Sequence, residues 1–100
     1  MPYTKKEARA QTEQCIAEIV SIIRKHPDAD MDGEVNFAIS SLVARIYRPA
    51  SGWRYHWLHR AHGVFATAGA EFYRRLVAPY EDRCIEKNGD LSEYREFAGD

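Results

Sequence analysis

The stretch GVFATAGAEFYRRLVAPYEDRCIEKNGD, residues 63–90, decides how the whole chain is read. Its apolar side chains recur at three- and four-residue steps through Val64, Phe65, Ala68, Phe72, Leu76, Tyr80 and Cys84. That spacing lines one face of a helix. Trp57 and Ala61 continue the stripe upstream, so a helix is expected from just after Ser51, a credible N-cap, to about Lys87. Pro79 should bend it, because proline removes one backbone bond and crowds the carbonyl four residues earlier. Asn88-Gly89 reads as the stop. Gly63 and Gly69 each cost roughly 1 kcal/mol relative to alanine inside a helix. With Ala66, Ala68 and Ala70 beside them they suggest a close helix–helix approach. The alternative is a helix that becomes regular only after Gly63.

Two further helices are expected upstream. Ala8, Cys15, Ile19, Ile22 and Ile23 form one stripe from about Lys5 to Lys25. Thr4-Lys5-Lys6-Glu7 has the spacing of a capping box at its start, and His26-Pro27 ends it. The second helix is expected from about Glu34 to Tyr47, with Asp32 as cap and Arg48-Pro49 as stop. Its stripe is Val35, Ile39, Leu42 and Ile46, widened by Ala38 and Val43.

The fold class that follows is all-α: a three-helix chain with a long, Pro-kinked third helix. At 1.5 Å per residue that helix would run roughly 50 Å. One small chain cannot easily bury it, so packing in a homo-oligomeric bundle is expected. Residues 1–90 read as a single helical domain, and 91–100 as an acidic C-terminal tail in which Ser92 could cap one short turn.

Composition narrows the class. An apolar share of 45% belongs to a globular chain, not a disordered one. The net charge of −1 gives no general pull on nucleic acid or on an anionic membrane. No stretch resembles a signal peptide or a membrane span. Cys15 and Cys84 form no CxxC pair, and Cys15 falls in the register of the isoleucines, where buried packing is its expected role. A cytosolic protein with reduced thiols follows.

Charge is unevenly spread. Between Arg45 and Arg75 lie six Arg, no Lys and one acid, Glu71, a local balance of +5. Guanidinium is planar and forked, so an arginine-only block suits bidentate or stacked recognition. Solvated helix faces with local Glu partners would also account for it.

Three patterns bear on metal binding and catalysis. Asp28, Asp30, Asp32 and Gly33 match the front of a calcium loop, yet position 12 is Ile39 where a bidentate carboxylate belongs. An acidic turn with a helix cap explains them better. His56, His59 and His62 step by three, which lets one helix aim two of them at a metal but not all three. No metal or cofactor is expected. No nucleophile elbow or phosphate loop is present, so the chain is not read as an enzyme.

The remaining candidate is the mixture of aromatic and guanidinium groups around RPASGWRYHWLHRAHG, residues 48–63. Aromatic faces can stack a base while guanidinium clamps a phosphate. Arg48, Trp53, Arg54, Tyr55, Tyr73, Arg74, Arg75 and Asn36 are the expected ligand-binding residues, and Trp57 is expected in the core. The bland alternative is an aromatic knee packed against other helices or a second subunit, since Trp, Tyr and Arg also anchor protein interfaces.

Two stretches, GEVNFAISSLV (33–43) and residues 63–90, the latter most specifically through its core EFYRRLVAPYED (71–82), resemble a family of short bacteriophage and prophage proteins known only as a domain of unknown function. The resemblance implies a small helical phage-type protein and points to Asn36, Glu71, Tyr73, Arg74, Arg75, Pro79, Tyr80, Glu81 and Asp82 as structural or site positions. His59-Arg60-Ala61-His62 and the longer tail depart from its pattern. In such a setting a small protein without catalytic motifs is expected to be an inhibitor or binder. The leading expectation is a homo-oligomer that binds an anionic, nucleotide-like ligand in the cytosol, as in sequestration of a host nucleotide signal. The runner-up is a protein–protein inhibitor or assembly factor with a host protein as partner. Direct nucleic-acid binding ranks below both.

Overall fold

The structure is a computed structural model that describes residues 3–99. Met1 and Pro2, at the head of the N-terminal stretch, and Asp100, the last residue of the acidic tail, lie outside it. The described residues are helical with no strand. The chain divides into two compact units, Met1–Ala61 and His62–Asp100.

In the first unit a 3-10 turn, Lys6–Ala8, leads into α1 (Ala10–Arg24), and α2 (Asp28–Tyr47) folds back against α1. The expected capping box does not form. Arg9 stands at the start of α1 without a side-chain cap bond, and Thr4 contributes its carbonyl, which accepts from Arg9 Nε at 2.7 Å. Helix α2 begins six residues earlier than expected, and Asp32 is not its cap. Pro27, extended at ψ 150, sets the entry, and Asp28 and Asp30 fall in the first turn. Carboxylates there are favoured by the unpaired amides and the helix dipole. The acidic run is therefore a helix start, and its carboxylates point around a helix instead of converging as in a calcium loop.

Helix α3 (Tyr55–Phe72) passes through Gly63 without interruption. Ser51 does not cap it. A turn closed by the Gly52 amide on the Pro49 carbonyl (3.0 Å) intervenes, with Gly52 at φ 102. The Arg54 carbonyl then accepts from both Trp57 and Leu58 amides, at 3.1 and 3.0 Å, and so opens the helix.

The second unit continues from α3 through a π-helical turn, Tyr73–Val77, into α4 (Ala78–Asn88), and ends with α5 (Ser92–Ala98). Residues 55–88 are one helical run, so the described residues form four stretches, counting α1, α2, this run and α5, where three helices were expected; α5 is the addition. The proline is accommodated by the π-turn. Pro79 has no amide to give to the Arg75 carbonyl, and the ladder shifts by one residue, with the Ala78 amide donating to Tyr73. Gly89, at φ 95, ends α4 where expected.

The π-turn also straightens the apolar stripe. Successive four-residue steps drift about 40° each around a regular α-helix, so Phe72, Leu76, Tyr80 and Cys84 would spiral off the face. One extra residue in a turn rotates everything after it back by about 100°. Tyr80 and Cys84 return beneath Phe65, Ala68 and Phe72.

Burial is sparse. Among the described residues only Ala61 is buried. Cys15 is exposed, not packed in a core, and both cysteines are free thiols. Among the described residues no helix is long and apolar enough to cross a membrane.

Candidate functional site

The corner between α2 and α3 gathers the aromatic and basic side chains of the first unit. Arg48 leaves the helix in an extended conformation ahead of Pro49, and the Pro49–Gly52 turn redirects the chain. This brings Tyr47, the last residue of α2, to Trp57 on the first turn of α3, with ring centroids 6.5 Å apart. Arg60, one turn further along α3, lays its guanidinium 4.7 Å from the Trp57 centroid and 5.6 Å from that of Tyr47. His56 meets the Trp57 ring edge-on at 5.3 Å. A cation held over two ring faces gains electrostatically from both, so Arg60 is the clasp of this corner. It stands outside the expected ligand-binding set, although the three-residue step from Trp57 to Arg60 carried the signal.

Around this clasp lie the more open groups. Trp57, expected in the core, is only half-buried. Trp53 is 43% exposed and Tyr55 79% exposed, with Tyr55 stacked on His59 at 5.9 Å. Arg48 reaches only the Pro49 carbonyl, at 3.4 Å, and Arg54 is exposed. The electrostatics are one-sided. No Asp or Glu occurs between Glu34 and Glu71, whereas Arg45, Arg48, Arg54 and Arg60 all do. The corner can therefore present guanidinium groups and open aromatic faces with no carboxylate on its own segment to compete.

The other expected residues lie elsewhere. Asn36 is on α2, about 18 Å along the helix from Arg48, and its Oδ1 accepts from Ser40 Oγ at 2.9 Å. Tyr73, Arg74 and Arg75 sit on the π-turn in the second unit. Tyr73 donates to Glu81 Oε1 at 2.7 Å. That bond holds its phenol above the usual tyrosine range, with the charges of Glu81 and Asp82 adding to it. Arg75 lies 3.8 Å from Glu71, one turn back. Here the cations stand among carboxylates, an environment that already screens them from an incoming anion.

Two further features belong to the first unit. A shallow groove of about 310 Å³ between α1 and α2 is lined by Ile19, Ile22, Phe37 and Leu42, with Glu34 and Arg45 among its polar members. His26 Nε2 lies 3.8 Å from Glu34. Among the described residues no three His, Cys, Asp or Glu side chains gather in a way that could hold a metal ion.

Fold and site together define a small all-helical protein with an arginine-aromatic corner and long uncovered apolar stripes. The chain belongs to the DUF6899 family, a domain of unknown function, whose profile matches residues 1–91. The expected membership of an unknown-function family is thus met, over far more of the chain than the two motifs span, and α5 falls beyond the matched region. No curated protein and no solved structure matches this chain.

Proposed function

We propose that this protein is a non-enzymatic, homo-oligomeric binder whose α2–α3 corner takes an anionic, nucleotide-like ligand. The observation that carries this reading is the corner itself: four arginines on a segment without a single carboxylate, flanked by the open rings of Trp53 and Tyr55. Arg48 and Arg54 grip phosphate, and Trp53 or Tyr55 stacks the base. Arg60 stays on Trp57 and Tyr47 and keeps the corner in shape. Tyr73, Arg74 and Arg75, on the π-turn with Glu71 and Glu81 beside them, add at most a weak supplementary contact to an anion, and Asn36 supports α2. The phage-type resemblance suggests that such a binder sequesters a host nucleotide signal in the cytosol.

Isothermal titration against cyclic and linear nucleotides tests this directly. At least one binds, and Arg54→Ala weakens it by about ten- to a hundredfold, the worth of one charge-assisted hydrogen bond. Silent titrations across the panel with folded protein overturn the reading. Because the chain's net charge is −1, retention on heparin with steep salt dependence would point to nucleic acid instead.

A second reading is favoured by a separate observation, the uncovered apolar surface of Phe37, Ile46, Phe72 and Tyr80. In it the protein is an inhibitor or assembly factor, with the same corner as its anchor. A stoichiometric host protein retained by the wild type and lost with Trp53→Ala would favour that assignment.

A further inference from the structure

The helical run of the second unit has an apolar stripe and, among the described residues of its unit, nothing packed against it. The contacts between elements there join only the π-turn to α4, which is the same helix continuing. On the stripe, Phe72 is 60% exposed, Leu76 57% and Tyr80 65%, and Phe65 is also open. Isolated helices gain little from backbone bonding alone and are stabilised by covering such a face. The π-turn keeps this face straight over about five turns, so one straight partner could cover it.

We infer that the partner is the same stripe of a second copy, running antiparallel about a two-fold axis near residue 74. This deepens the homo-oligomer part of the proposed function and rests on it. Two features, packing and charge, make the stripe complementary to itself in that direction and not in the parallel one. Pairing about residue 74 sets Phe72 against Leu76 of the second copy, Ala68 against Tyr80, and Phe65 against Cys84, so that a small side chain meets a large one at two of the three levels. Interdigitation of large with small is what a closely packed helix pair needs. A parallel pairing would instead stack Tyr80 on Tyr80 and Ala68 on Ala68, leaving one level overfilled and another empty.

Charge agrees with the same axis. Glu71 and Arg75 lie on one flank of the stripe, as their 3.8 Å approach records. Antiparallel pairing places the Glu71 flank of one copy beside the Arg75 flank of the other, and two-fold symmetry repeats the contact. A parallel two-fold pairing would instead set the Glu71–Arg75 flank of each copy against the Tyr73–Glu81 flank of the other, so this reciprocal exchange would not form. The opposite flank records the same realignment of the stripe by the π-turn. Tyr73 and Glu81 are hydrogen-bonded at 2.7 Å, whereas residues eight apart on a regular α-helix stand about 80° apart. Only the π-turn brings them onto one line.

The area is adequate. Phe65, Phe72, Leu76 and Tyr80 each leave on the order of 100 Å² uncovered. Two copies would hide roughly 800 Å² with these four alone, and Val64, Ala68, Cys84 and the flanks take the total past the ~1,000 Å² of a specific interface.

The test uses the native thiol of Cys84. In the full chain carrying Cys15→Ser and Phe65→Cys, positions 65 and 84 lie about 28 Å apart along one helix, far beyond the ~6 Å between α-carbons that a disulfide tolerates. A bond between them can form only across two chains. Mild oxidation is expected to give a covalent dimer joined 65 to 84, read by peptide mapping, and Phe72→Glu in the wild-type background is expected to lower the sedimenting mass while circular dichroism stays helical. Dimers joined 84 to 84 or 65 to 65 would overturn the antiparallel arrangement. A wild-type oligomer that gives no cross-link and tolerates Phe72→Glu would overturn this face alone, placing another part of the molecule or another partner on the stripe. A monomer at every concentration would overturn the oligomer reading as well.

Discussion

Arg60 shows how a single side chain can organise a corner. Its guanidinium sits over both Trp57 and Tyr47, and each such contact is worth about 0.5–1 kcal/mol where partly exposed. Arg60→Ala is expected to lower stability by about 1 kcal/mol and to shift Trp57 emission to the red, read by thermal melts and fluorescence. Arg60→Lys should recover little, because an ammonium cannot stack on two rings. Tyr73 makes a prediction with a sign. Its bond to Glu81 raises the phenol above its ordinary 10.0. The neutral phenol is the bonded form, so the contribution is fully present below pH 10 and is lost as pH rises through the raised value. In an ultraviolet titration Tyr73 should ionise after the ordinary tyrosines, and Glu81→Gln should return it to them. If its titration is unchanged by Glu81→Gln, the bond across the π-turn is absent in solution.

At the level of elements, the stops were easier to read than the starts. Pro27, Pro49 and Asn88-Gly89 end helices close to where backbone chemistry says they must, because a missing amide or a positive φ acts whatever surrounds it. The expected starts rest on side-chain caps, and the structure uses none at α1 or α2. Thr4, Asp32 and Ser51 each had the right chemistry in the wrong place. The acids at 28, 30 and 32 have a spacing common to a calcium loop and to a helix's first turn, and Ile39 at the twelfth position and Pro27 at the entry tell the two apart. The π-turn is not legible in the sequence, because Pro79 announces a disturbance without saying how it is absorbed. Glycines give a matched pair of predictions. Gly63 has open space around it inside α3, so Gly63→Ala should raise stability by about 0.5–1 kcal/mol. Gly52 lies at φ +102, where an L side chain is strained, so Gly52→Ala should lower it by about 1 kcal/mol and loosen the corner. Urea melts of both variants measure the difference.

For the whole molecule, the all-helical class was legible because period and stops agreed along most of the chain. Much of the candidate site was legible too, but not its grouping. Trp53, Arg54 and Tyr55 do stand open at the corner, while Asn36 lies far along α2 and Tyr73, Arg74 and Arg75 belong to the second unit. Sequence proximity reports a local corner well and says little about residues separated by a long helix. The clearest property at this scale is the lack of a core: of the described residues, Ala61 alone is buried, while Ile22, Leu42, Ile46, Phe72 and Leu76 each keep more than half their surface open. A sequence with 45% apolar residues that hides so few of them within one chain is expected to hide them between chains. Sedimentation velocity of the wild-type chain across a wide concentration range tests this most directly. The account predicts a discrete oligomer at micromolar concentration with no monomer boundary, and a single 11.5 kDa species at every concentration would contradict it.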